Sequence, residues 1–77
     1  METWREKLRR FAEKTAWDAL VRREIREAAD APDVFHARLS LRRSAEQAAW
    51  WYARTGHDFH ARKCTWYTLA MMDTEEE

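Results

Sequence analysis

Two groups of residues in this chain have types and spacings that could do chemistry. The first is His57, His60 and Cys64. On a helix His60 and Cys64 are i, i+4 neighbours, a spacing that can bind Zn²⁺, with His57 close enough to join them. The same pair could act as a thiolate–imidazole nucleophile, with His60 lowering the pKa of Cys64. Both schemes lack parts. A zinc site wants a fourth ligand, and His36 would lie at the far end of the preceding helix, roughly 30 Å away. A nucleophile needs an orienting third group and an oxyanion hole, and no pattern supplies either. Glycine-rich phosphate loops, a carboxylate pair in apolar surroundings and a serine in a nucleophile turn are missing too. The expectation is a protein that is not an enzyme and has no cofactor, with His57, His60 and Cys64 kept only as an incomplete metal candidate.

The second group is a mixture of arginines and aromatics. Arg38, Arg42, Arg43, Arg54, Arg62 and Lys63 are interleaved with Trp50, Trp51, Trp66 and Tyr67. Trp, Tyr and Arg dominate the energetic centres of protein–protein interfaces. The same types hold phosphates and stack bases. Net charge favours the first use. Fourteen basic residues face fourteen acidic ones, although the acids of the stretch Asp73 to Glu77 leave residues 1–72 with four more bases than acids. A nucleic-acid-binding domain is usually clearly basic. The reading is therefore a protein-interaction module: a small adaptor, inhibitor or regulatory subunit of the phage or plasmid type. Its partner-binding residues are expected to be Arg42, Arg43, Trp50, Trp51 and Arg54, with Trp4 and Phe11 as a second patch. The alternative is a small nucleic-acid-binding regulator using Arg38, Arg42, Arg43, Arg62, Lys63 and Trp66.

The elements that must position these residues read as helices. Val34, Ala37, Leu41, Ala45, Ala48 and Tyr52 follow one another at steps of three and four, which puts them on one helical stripe. Pro32 suits a first turn, Asp30 or Asp33 can cap it, and Gly56 can end the helix. Residues 33–55 are thus expected to form one long helix. A competing period runs through Phe35, Ala37, Leu39 and Leu41, which alternate with polar residues as in a half-buried strand. In that version Ser44 and Gln47 form a capping box opening a shorter helix, and the β-prone run after Cys64 pairs with the strand.

Thr3 and Glu6 are spaced as a capping box for a helix over 4–29. Its apolar residues form two stripes about 120° apart, Trp4, Leu8, Phe11 and Thr15 against Trp17, Val21, Ile25 and Ala28. One straight helix cannot bury both against a single neighbour, so a bend near residues 12–16 or a second partner is implied. Asp58 could cap a third helix over 58–72, with Phe59, Trp66 and Ala70 inward. The four residues Phe-His-Ala-Arg occur at both 35–38 and 59–62, but their surroundings differ too much for a structural repeat.

The fold expected is all-α, a three-helix small domain with a long N-terminal helix. The alternative is α+β, ordered α-β-α-β, with a small sheet from 34–41 and 64–71. Residues 1–72 form a single domain, and 73–77 form an acidic flexible tail. A length of 77 residues with one Gly and one Pro favours few, long elements. So small a chain cannot bury aromatic and aliphatic stripes that point in several directions, which predicts self-association, most simply a homodimer. No apolar run is long enough to cross a membrane, and the charged N-terminus has no secretory pattern. A single cysteine fits a reducing, cytoplasmic setting.

Overall fold

Thr15 to Asp18 is where the expected first helix divides. In the computed structural model, which describes Met1–Glu75, the chain forms four α-helices. They are α1 (Trp4–Lys14), α2 (Ala19–Ala29), α3 (Val34–Thr55) and α4 (Asp58–Met72). The described residues contain no strand, so neither 34–41 nor 64–71 adopts the alternating pattern; both lie inside helices. The domain is all-α, with four helices where three were expected, because the two apolar stripes of 4–29 are resolved by a break and not by a smooth bend. Each stripe then has its own helix: α1 buries Leu8 and Ala12, and α2 buries Val21, Ile25, Ala28 and Ala29.

The break is stabilised locally. The Thr15 hydroxyl donates to the Phe11 carbonyl at 3.0 Å, and the Asp18 carboxylate caps α2 by accepting from the Val21 amide at 2.8 Å. Trp66 on α4 donates its indole N–H to Thr15 Oγ1, tying the buried threonine to the opposite side of the fold. Thr3 and Glu6 close the capping box of α1.

The central helix spans Val34–Thr55, with Asp33 accepting from the His36 amide at 2.8 Å. Gly56 ends it at φ +71, in the left-handed region, and donates to the Tyr52 carbonyl at 2.8 Å. Only Gly56 and His57 separate α3 from α4, so the two pack as an antiparallel hairpin. Ala37, Leu41, Ala45 and Ala48 of the expected stripe are buried, while Tyr52 stays exposed beyond the covering helices. Asp58 is the first residue of α4 and not its cap; His57 holds the cap position without a side-chain bond. The inward face of α4 is also turned from the one expected. Tyr67 and Ala70 are buried, Trp66 is half-buried and Phe59 is exposed.

The core is made mostly of small residues. Ala12, Ala28, Ala29, Ala37, Ala45 and Ala70 pack with Leu8, Val21, Ile25, Leu41 and Tyr67. Such positions let helix axes approach closely but leave no volume for large rings. Among the described residues Tyr67 is therefore the only aromatic fully inside, and the other rings are displaced to the edges of the bundle. The body continues past α4: Thr74 is buried, and Arg38 donates from Nε to its hydroxyl at 3.0 Å and from Nη2 to its carbonyl. Glu76 and Glu77, the end of the expected acidic tail, lie outside the described residues.

Candidate functional site

The C-terminal half of α3 presents its tryptophans to solvent because they fall off the buried stripe. Trp50 is 49% exposed and Trp51 43%. Their rings meet edge to face at 4.9 Å, and the Arg54 guanidinium lies 4.1 Å over the Trp50 ring, one helical turn along. On the other side Trp51 stacks with His60 of α4 at 6.1 Å and 25°. This row of His60, Trp51, Trp50 and Arg54 is held by ring contacts and by the rigidity of a capped helix. Arg43 is exposed without an ion pair among the described residues, and Arg42 donates to Glu46 at 3.0 Å along the helix surface.

The remaining candidates are placed elsewhere. Trp4 and Phe11 are half-buried and packed against the core, with Arg5 over the Trp4 ring at 4.4 Å and Phe11 against Trp66 at 5.1 Å. They do not form a free patch. Trp66 also meets Trp17 edge-on at 6.0 Å. Arg62 lies over Trp17 at 5.3 Å, and the Lys63 ammonium lies 5.5 Å from the Phe59 ring. Arg38 is committed to Thr74 near the start of α3. In the antiparallel hairpin that end is opposite the end of α4 that carries Arg62 and Lys63. Arg38, the residue of this set nearest the start of α3, is thus the farthest from them, while Arg42 and Arg43 lie roughly one turn nearer the α3–α4 connection.

His60 and Cys64 do lie on successive turns of α4, but no group of three His, Cys, Asp or Glu side chains comes together among the described residues. His60 is engaged with Trp51 instead, and Cys64 is a half-buried free thiol packed on the core.

Beside Trp51 the bundle opens into a notch of about 230 Å³ between three helices. From α2 come Leu20 and Glu24; from α3, Ser44, Gln47, Ala48 and Trp51. Helix α4 supplies His60, Lys63 and Tyr67. Tyr67 is only 1% exposed, yet its hydroxyl has no hydrogen-bond partner, and neither does the buried Nδ1 of His60. Burial pushes the Tyr67 phenol well above its ordinary range, and the nearby Glu24 carboxylate opposes ionisation further without closing a bond of ordinary geometry. Glu24 itself is half-buried and makes no ion pair with any described cation. The sequence carried no sign of this notch. Glu24, Ser44 and Tyr67 are far apart in the chain, and only the packing of three helices brings them together.

Comparison with family models, with curated proteins and with solved structures gives no match. No helix among the described residues is long and apolar enough to cross a membrane.

Proposed function

We propose that this chain is a protein-interaction module, a small adaptor, inhibitor or regulatory subunit, whose contact face is the outer C-terminal half of α3. The observation that supports it is the Trp50–Trp51–Arg54 cluster: two half-exposed indoles in edge-to-face contact with a guanidinium over one of them, on the longest helix of the fold. Trp and Arg are the residues whose truncation costs most at interfaces. Holding their rings against one another before binding reduces the conformational entropy lost on association. Tyr52 and Phe59, both exposed, extend the apolar character around the α3–α4 turn. Displaced aromatics are a consequence of the alanine core, and a partner covering them would complete the burial that 77 residues cannot provide alone.

The first partner to test is a second copy, since a two-fold pairing would bring this face onto itself. Solution mass by light scattering across a dilution series, for the wild-type chain and for Trp50→Ala/Trp51→Ala, tests this. The expected result is a dimer that the double substitution shifts to monomer while far-UV circular dichroism stays unchanged. Failing that, the wild-type monomer should retain a stoichiometric protein partner that the variant loses. A variant that keeps every association of the wild type would remove this face from the proposal. The nucleic-acid reading draws no comparable support, because Arg38, Arg42, Arg62 and Lys63 are each engaged by a group of the fold.

A further inference from the structure

The three-helix notch carries polar groups that the fold does not use. Its inner wall is rich in acceptors. Glu24 offers a carboxylate, Tyr67 a phenolic oxygen, Ser44 a hydroxyl and Gln47 an amide carbonyl. The carboxylate has no counter-ion among the described residues, and the buried phenol beside it closes no hydrogen bond of ordinary geometry. The one cation of the lining, Lys63, directs its ammonium toward the Phe59 ring. An aromatic wall completes the site, where Trp51 is fixed by its stack on His60. An acceptor-lined cavity with one unpaired carboxylate and a tryptophan face matches a ligand that has only donors, a positive charge and a flat surface. That describes a guanidinium, which carries five N–H donors and no acceptor and stacks on indoles. The volume agrees: about 230 Å³ is below the usual range for a drug-sized ligand, and suits a head group with a short stem.

We infer that the notch binds an alkylguanidinium cation, with Glu24 as counter-ion, the buried Tyr67 hydroxyl behind it positioning that carboxylate, and Trp51 as the stacking wall. This does not rest on the role of the Trp50–Arg54 face. The cation has two sources, a free small molecule or an arginine side chain presented by another chain.

The experiment uses the intact ¹⁵N-labelled protein and two probes: agmatine for the free molecule, and acetyl-Gly-Arg-Gly-amide for the side chain. Backbone amide shifts around Ser44, Gln47, Trp51 and Tyr67 report binding, with hexanoate as a control of opposite charge. Expected is saturable binding of at least one probe with a dissociation constant on the order of 1 mM, and none of hexanoate. Glu24→Gln should weaken it about tenfold or more, as expected for loss of a charge-assisted bond. Tyr67→Phe should weaken it about threefold to tenfold while the protein stays folded. Agmatine binding tighter than the peptide assigns the notch to a small molecule. Peptide binding as tight or tighter assigns it to a partner's arginine. If neither probe shifts these amides at about 20 mM, or if Glu24→Gln binds as the wild type does, the inference is overturned.

Discussion

Tyr67→Phe separates what the fold requires at this position from what it merely tolerates. The tyrosine is fully buried in the same core cluster as Leu8, Ile25, Leu41 and the core alanines, and a phenylalanine ring would fill nearly the same volume. What changes is the hydroxyl, which is buried without a partner. Leaving a buried polar group unsatisfied costs about 1–3 kcal/mol, so its removal should return a fraction of that. The nearby Glu24 carboxylate offers the hydroxyl a partial partner, which places the expected gain at the low end, about 1 kcal/mol. For a domain of this length that is a rise of roughly 4–8 °C in Tm, readable by calorimetry or by thermal circular dichroism.

The same substitution has a signature in pH. Burial holds the Tyr67 phenol neutral in the folded state, whereas in the unfolded chain it ionises near its ordinary value of 10.0. Above that pH the unfolded state binds fewer protons than the folded one, so stability falls as pH rises, by at most about 1.4 kcal/mol per unit from this group. Urea unfolding at pH 8, 10 and 11 should show that decline in the wild type and less of it in Tyr67→Phe. A loss of about 1 kcal/mol or more at pH 7 would mean that the hydroxyl is hydrogen-bonded after all, and an unchanged alkaline slope would mean that the fold does not hold the phenol neutral; either result would refute the reasoning.

Three further substitutions test the frame that positions the site. Gly56→Ala introduces a Cβ that meets nothing within 4 Å, so its only penalty is the left-handed backbone; a loss of about 1–2 kcal/mol in urea denaturation is expected. Trp66→Phe removes the bond to Thr15 Oγ1 that ties α4 to the α1–α2 break. It should destabilise by about 1–2 kcal/mol, with the largest rise in amide hydrogen exchange at residues 15–18. Arg38→Ala releases Thr74, and exchange should accelerate over residues 73–75 while α1 and α2 keep their protection.

The elements legible in the sequence were those set by local chemistry. The Thr3–Glu6 capping box, Asp33 and Gly56 all stand at helix ends in the structure, and the stripe from Ala37 to Ala48 is buried as its spacing implies. The alternating period of residues 34–41 lost because the same residues satisfy a helical stripe and sit between two working caps. The break at Thr15–Asp18 was signalled only indirectly, by two stripes that one helix could not bury. Asp18 was its local mark, an N-cap residue ahead of Val21. Helix α4 misled for a different reason. Apolar residues surround it, so its pattern could not say that Tyr67, and not Phe59, faces inward. The notch was invisible for the reason that makes it interesting: its residues come from three helices and have no relation to one another in the chain.

The core explains why both candidate sites lie where they do. Six alanines draw the helices together and force the large rings outward, so Trp50 and Trp51 are exposed by the same packing that stabilises the bundle. Exposure alone would then be a by-product of folding. Tyr67 differs, because a phenylalanine would serve the core equally well and avoid an orphaned hydroxyl. Glu24 differs in the same way, since a half-buried carboxylate without a counter-ion adds nothing to the packing of α2. Two such groups facing one cavity are a local conflict that folding does not need, and conflicts of this kind concentrate where a protein binds something. That ordering makes the notch the sharper test of function, and the tryptophan face the broader one.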